Sequence, residues 1–579
     1  MNNQGIAATI IPSSDPHASE YVADHWKERQ WISGFTGSAG TVVVTADKAG
    51  LWTDSRYFLQ AEQQLGDSGI ALFKDGLPDT PSVAEWLASV LPANSKVGIN
   101  PAVFSVNAVD ALQNELSAKG LSLTPGVDFI KQIWTDRPAL PDTPVFVYLK
   151  QYAGKSAKEK IALIRNEMDK KGADSYVFTA LDEIAWIFNI RCADVEYNPV
   201  AIAFGAVDRN GATLFINPQK ISLHVADQLA EEGVSVEPYN AVFDYVARLH
   251  VNTSILIDKS KTNYALFLDI PQHCKVIAAQ SPVFYQKSIK NETELAGTRT
   301  AMIKDGVALT RFFIWLEKSL GKERLTEMSI AERLREFRAG QEDFVGESFG
   351  TIAGYKEHGA IVHYSATTDS DAELQAESFL LLDSGGQYLD GTTDITRTVS
   401  LGALTDEERT DFTLVLKGHI ALGSALFPQG TRGSQLDILA RKALWDRAWN
   451  YGHGTGHGVG HFLCVHEGPQ SIRMDENPTQ LVPGMIISNE PGIYRAGKHG
   501  VRCENLVTVV EAAKGEFGLF YRFETLTLFP FDTKAIDSSL LTNAEKAWLN
   551  DYHATVFEKI SPALNEDEKA WLKEKCAAI

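Results

Sequence analysis

Five side chains able to hold a cation fall within one stretch of the chain: Asp383, Asp394, His457, Glu490 and Glu504. Each stands in a short module of its own. F-L-L-L-Asp383-S-G-G and G-T-T-Asp394-I-T set two aspartates 11 positions apart. H-G-T-G-His457-G-V-G carries the imidazole, I-I-S-N-Glu490-P-G a glutamate, and V-R-C-Glu504-N a second one 14 positions on. Carboxylates brought this close disfavour one another's ionisation, so positive charge has to sit among them. Two divalent cations would balance the four acids. An oxygen-rich set without thiolate suits hard or borderline ions, Mn2+ first, and the same cage accepts Co2+ or Zn2+. Such a pair of ions activates water, which makes this a candidate hydrolase centre. Singly, an aspartate at a strand end is a turn cap and a histidine is a satisfied polar residue. The order and spacing of all five together carry the metal reading.

The elements that must position these groups read as strands. F-L-L-L is an apolar run that ends in Asp383, and T-T-D-I-T-R-T-V after Ser384-Gly385-Gly386 reads as its returning partner. A hairpin of this kind sets two carboxylates on one face. M-I-I-S-N repeats the device before Glu490, Pro491-Gly492 turns the chain, and G-V-R-C-E-N-L-V-T-V-V over residues 500–510 predicts one returning strand with Glu504 near its start. His453 and His457 have the spacing of a zinc-binding helix. Glycines at 454, 456, 458 and 460 argue against a helix and for a loop or strand where backbone approaches a ligand.

The 579 residues exceed what one hydrophobic core organises. The pattern predicts an α/β and α+β multidomain protein, divided as 1–150, 151–287 and 288–579. In the first part T-V-V-V-T at 41–45 is a strand, G-F-T-G-S-A-G at 34–40 is the turn that feeds it, and V-A-E-W-L-A-S-V-L at 83–91 has helical period. Four prolines between 125 and 144 suit a linker. Ser156 and Glu159 form a capping box that opens a helix ending near Gly172. Asn291 caps a helix whose buried face holds Leu295, Met302, Leu309, Phe313, Leu316 and Leu320. Residues 523–530 read as a strand and 540–579 as helical. No internal repeat is visible. The formal charge of −20, from 54 basic and 74 acidic residues, argues against nucleic acid or an anionic membrane as partner. The N-terminus lacks the features of a signal peptide, no apolar run approaches the ~20 residues of a membrane helix, and the five cysteines are scattered. Reduced thiols and a cytoplasmic location are expected.

The set Asp383, Asp394, His457, Glu490 and Glu504 resembles that of the pita-bread metallopeptidases. The long, three-domain form of aminopeptidase P is the nearest resemblance, carried also by G-F-T-G-S-A-G, L-W-T-D-S-R-Y-F-L-Q, T-A-L-D-E-I-A-W-I-F-N-I-R, H-G-T-G-H-G-V-G and F-E-T-L-T-L-F-P. It spans residues 34 to about 530. The resemblance implies two creatinase-N-terminal-like α/β domains, acting as walls and a dimer surface, before a pita-bread catalytic domain. It implies that Asp383 binds one metal bidentately, that Asp394 and Glu504 bridge both, and that His457 and Glu490 complete the shell of the other. It places His363, His453 and His466 around the substrate. Two departures stand out: Cys464 occupies a position where Asn is common, and His461 is an additional imidazole not assigned as a ligand.

The implied reaction is release of the first residue from short peptides with proline second, by attack of a hydroxide shared between the two metals. His363 or His466 donates to the carbonyl oxygen, and Glu490 moves the proton to the leaving proline nitrogen. A homodimer is implied by the resemblance alone. The rival readings are a prolidase, which cuts only X-Pro dipeptides, and a catalytically dead pita-bread protein used for binding. Length and the two preceding domains disfavour the first; the intact ligand set and the lack of a charged tail disfavour the second.

Overall fold

β-Branched and aromatic side chains pack well on a pleated surface, and the T-V-V-V-T run does become a strand, Thr41–Thr45. The structure is a computed structural model that describes residues 1–579, residue 2 through its backbone only. It divides into two compact units, Met1–Phe284 and Tyr285–Ile579.

The first unit holds two six-stranded sheets. In chain order the strands of one are Ala8–Pro12, Thr41–Thr45, Ala49–Thr53, Ile70–Lys74, Lys96–Ile99 and Ser122–Pro125. Those of the other are Ser175–Phe178, Ala203–Asp208, Ala212–Ile216, Val234–Pro238, Ser254–Ile257 and Lys275–Ala278. In both, the spatial order is fourth, third, second, first, fifth, sixth. In both, the first three strands pair antiparallel and the other pairings are parallel. The duplication lies in the fold and leaves no visible sequence repeat. One fold is built twice, from sequences as unlike as T-V-V-V-T and A-F-G-A-V-D in the second strand, because wiring is kept by burial and connection length rather than by residue identity. Within this unit the first sheet's leading segment is pinned to the second sheet. His17 Nδ1 donates to Thr179 O at 2.8 Å, its Nε2 meets Tyr239 Oη at 2.9 Å, and Asn263 Nδ2 donates to Pro16 O at 2.9 Å. Burial keeps His17 below the ordinary imidazole pKa.

The capping signals hold. Ser156 and Glu159 cap Ala157–Lys171, which ends at left-handed Gly172. In the second unit Asn291 and Glu294 cap Glu292–Ser319. The apolar face of this long helix divides between two cores: Met302 joins one, and Leu309, Phe313 and Leu316 join the other. Strands packed on these cores flank the candidate ligands. Phe379–Ser384 is the middle strand of three, between Ile352–Tyr355 and Ile395–Ser400. Ile486–Asn489 is the edge of a four-stranded sheet, next to Asn505–Gly515. The strand expected over residues 500–510 is interrupted. His499–Arg502 pairs with Gly492–Arg495, the chain kinks at Cys503-Glu504, and Asn505–Gly515 then pairs with Ile486–Asn489. The strand expected at 523–530 ends at Thr525. The C-terminal segment is helical as expected, in Asn543–Ile560 and Glu566–Lys575. Among the described residues no helix is long and apolar enough to cross a membrane.

Candidate metal centre

The carboxylates sit where paired strands part. Phe379–Ser384 runs antiparallel to Ile395–Ser400 with Asp383 opposite Thr396, and Asp394 immediately precedes the second strand. Asn489 pairs with Asn505, so Glu490 and Glu504 flank the last rung of that ladder. Leaving a ladder frees a side chain from the pleat and lets it turn inward. Three of the five expected ligands, Asp394, His457 and Glu504, have donor atoms all within 4.8 Å of one another. Glu490 adjoins them, with Oε1 3.5 Å from His457 Nε2, and Asp394 Oδ2 is 3.4 Å from the same nitrogen. Asp383 is tied differently. Its Oδ2 accepts from Arg502 Nη2 at 2.6 Å, and its Oδ1 is buried without a hydrogen-bond partner. Arg502 thus leaves one oxygen of Asp383 for a cation.

His457 is aimed by its own backbone. Its Nδ1 lies 2.9 Å from Gly458 O, a carbonyl that can only accept, so Nδ1 carries a proton and Nε2 is the nitrogen that faces the acids. His453 repeats the arrangement, with Nδ1 on Gly454 O at 2.7 Å and Nε2 facing Tyr494 Oη at 2.8 Å. The glycines on either side of His457 are a matter of space. A Cβ on Gly458 would fall 1.9 Å from Glu467 O. The two-residue strand Gly456–His457, not a helix, carries the ligand.

Electrostatics supports a cation site. Burial first, then repulsion by neighbouring acids, pushes Asp383, Glu490 and Glu504 above the ordinary carboxylate range, Glu490 to about 7. Burial pulls His457 down, but Asp394 and Glu490 outweigh it and push it up to about 9. Crowded acids, an imidazole nitrogen facing them and an orphaned buried carboxylate oxygen on Asp383 fit divalent metal.

Of the three further histidines, His466 touches this group and His453 reaches it through other side chains. The His466 ring stands edge-on to His457, with centroids 4.3 Å apart. His453 connects through Tyr494 to Arg502, whose Nη1 donates to Tyr494 Oη at 2.8 Å. His363 is half-buried in the connection between Ile352–Tyr355 and Phe379–Ser384, where Ile361 and Tyr364 pack with Leu381 and Tyr494. His461 is buried, with Nδ1 3.2 Å from Thr298 Oγ1. Cys464 is buried and free of disulfide.

Sequence reasoning missed Arg502, Tyr494 and Thr396. Thr396 Oγ1 donates to Glu504 Oε2 at 2.7 Å and accepts from Arg502 Nε at 3.1 Å. Period-two alternation was the available signal for two of them. Arg502 stands two before Glu504, and Thr396 two after Asp394.

Comparison with known proteins agrees along the whole chain. The model for metallopeptidase family M24 matches residues 296–511, and that for the C-terminal region of peptidase M24 matches 519–579. Two models described as creatinase/prolidase N-terminal domain match 1–133 and 136–294, one for each of the repeated sheets. Aminopeptidase P2 of Arabidopsis thaliana is 42% identical over 606 residues, covering 98% of this chain and 85% of the plant protein. A Coprinopsis cinerea protein named "Probable Xaa-Pro aminopeptidase P" is 42% identical over 610 residues, covering 100% of this chain and 97% of its own length. The crystal structure of X-prolyl aminopeptidase from Caenorhabditis elegans, described as a cytosolic enzyme with a di-nuclear active site, superposes with a TM-score of 0.94. It is 37% identical, over 99% of this chain and 95% of that one.

Proposed function

The chain belongs to metallopeptidase family M24, among the aminopeptidases P, and on that premise we propose how it works: as a metal-dependent hydrolase that releases the N-terminal residue from peptides with proline in second position. One observation carries the reading. Asp394, His457 and Glu504 converge within 4.8 Å in a chain that matches Xaa-Pro aminopeptidases from end to end.

Asp383, Asp394, His457, Glu490 and Glu504 would hold two divalent ions, which we take to be Mn2+ on the strength of the oxygen-rich donor set. When bound, the ions supply Lewis acidity and a nucleophilic water near neutral pH. The protein's own groups do the rest. Arg502 and Thr396 fix the orientation of the Asp383 and Glu504 carboxylates. Glu490, oriented by Ser488 Oγ at 3.2 Å from Oε1, takes the proton of the attacking water and passes it toward the proline nitrogen. His363 or His466 donates to the carbonyl oxygen as charge develops there, and His453, held by Tyr494, lines the site. Proline's nitrogen bears no hydrogen, so the leaving group must receive a proton for the bond to break.

The division into 1–150, 151–287 and 288–579 belongs to this reading, supported by the repeated sheets and the four matched segments. So do a homodimer, resting on the family resemblance, and a cytoplasmic location, resting on the C. elegans relative.

The decisive experiment pairs an X-Pro dipeptide with an X-Pro-Pro tripeptide. The expected result is loss of the first residue from the tripeptide, abolished by chelation or by Asp394→Ala and restored to the wild-type protein by Mn2+. A tripeptide left intact beside a cleaved dipeptide would establish a prolidase instead.

A further inference from the structure

The connection that carries His363 runs from residue 356 to residue 378, between two strands that are direct neighbours in the sheet. Adjacent antiparallel strands need only a short turn, so a connection of this length has another purpose. It returns repeatedly to one atom group, the carboxylate of Glu327. This residue opens the helix Glu327–Ala339, is capped by Thr326, and is fully buried. Its Oε1 accepts from Tyr355 N at 2.8 Å, where the connection begins, and from His358 Nδ1 at 2.9 Å. Its Oε2 accepts from Tyr364 Oη at 2.7 Å and from Ala372 N at 3.0 Å. The His358 and Tyr364 rings stack with centroids 4.5 Å apart. The start, middle and far side of the connection are thus gathered on one carboxylate, and His363 is the residue next to Tyr364.

A second contact locates the gathered segment. A Cβ on Gly500 would lie 1.7 Å from Gly359 O, so the backbone near His358 rests directly on the strand His499–Arg502. Arg502 of that strand binds Asp383. The position of the His363 segment is therefore registered against the same strand that orients a metal-binding carboxylate.

We propose that Glu327 is a positioning residue of the hydrolase: it does not touch substrate, but its four-donor hub sets where His363 meets the peptide. This rests on the reading of His363 as a substrate-site residue given above. A buried carboxylate that accepts from two backbone amides cannot be replaced by an amide without opposing a donor to a donor. Glu327→Gln would point its NH2 at Ala372 N or at Tyr355 N and loosen one end of the connection. A displacement of about 1 Å at a group that contacts a transition state costs on the order of 100-fold.

The test is a double-variant cycle on kcat/KM for an X-Pro-Pro tripeptide, using Glu327→Gln, His363→Ala and the two combined, with Tyr364→Phe as the milder probe of the same hub. Each single change is expected to lower kcat/KM by about 10- to 100-fold. The combined loss should be no greater than the larger single loss, because Glu327 acts through His363. Losses that multiply would mean the two residues act independently and would overturn the proposal, as would wild-type kinetics in Glu327→Gln. Amide exchange over residues 356–372 reads the hub without turnover. Faster exchange confined to that stretch in Glu327→Gln is expected, and unchanged exchange counts against the hub. If the wild-type protein releases nothing from the tripeptide, the aminopeptidase reading fails while the exchange result still judges the hub.

Discussion

Two loops carry the candidate substrate-site histidines His363 and His466, and each is fixed at its base by a buried glutamate, but in opposite ways. The His363 connection folds around Glu327, which stands on a helix outside it and gathers two amides, a phenol and an imidazole. The His466 loop brings its own glutamate, Glu467, to partners outside it. Lys290 Nζ donates to Oε1 at 2.8 Å and Lys287 pairs with Oε2 at 2.7 Å, and all three side chains are at most 1% exposed. Glu467 N also donates to Gly458 O at 2.7 Å, so its anchoring reaches the residue after ligand His457. One hub is made of mostly neutral donors with a single titrating partner. The other sets two ammonium groups against one carboxylate. The charged device holds the loop whose His466 ring packs against His457. The mostly neutral one holds the loop that carries His363.

That contrast can be broken most severely at Glu467. Glu467→Ala strands two buried ammonium groups, and losing one partner of a buried ion pair costs about 3–5 kcal/mol. The urea midpoint of the second unit should fall accordingly, with metal content reduced because the His457 segment loses its anchor. A midpoint near wild type would show that the cluster is not the clamp described.

A smaller effect sharpens the other side. The hydrogen bond to Glu327 raises the His358 pKa above its usual 6.5, against the opposing effect of partial burial. A raised folded-state pKa means the stabilisation is fully present below pH ~6.5 and disappears as pH rises through the folded value. His358→Gln should therefore cost up to about 1 kcal/mol at pH 5.5, discounted for partial exposure, and almost nothing at pH 8.5. Denaturation at the two pH values measures it. A difference that grows with pH would reverse the assignment of the charged partner.

The smallest effect is expected at Lys287→Met. The cluster holds two ammoniums against one carboxylate, and exchanging a buried charge for an apolar side chain of similar length is often neutral or stabilising. Stability within about 1 kcal/mol of wild type, or above it, is the outcome to look for by the same titration. A loss like that of Glu467→Ala would mean that both cations are needed.

The candidate ligands stood out because Asp383 and Glu490 each close an apolar run, F-L-L-L and M-I-I-S-N, and strands that end in acids leave a local mark. The caps at Ser156 and Asn291 were legible for the same reason: a cap is written within four residues. The kink at Cys503-Glu504 was not, since V-R-C-E-N-L-V reads as continuous strand, and only the competing partner Gly492–Arg495 divides it. Glu327 and Glu467 were invisible for a different reason. Thr326-Glu327 looks like any exposed helix start, and the lysines of Glu467 lie 177 and 180 positions away, so no periodicity joins them. Arg502 falls between, readable by alternation from Glu504 once its strand is known.

The twin sheets of the first unit bear on how this protein meets a protease. The prolines at 138, 141 and 144 lie in a largely exposed run, open to a clip. Yet His17 and Pro16 upstream of that run are bonded to Thr179, Tyr239 and Asn263 downstream of it. A severed backbone there would leave both fragments bound to each other, so intact mass on a sizing column would conceal a cut that only a denaturing gel reveals.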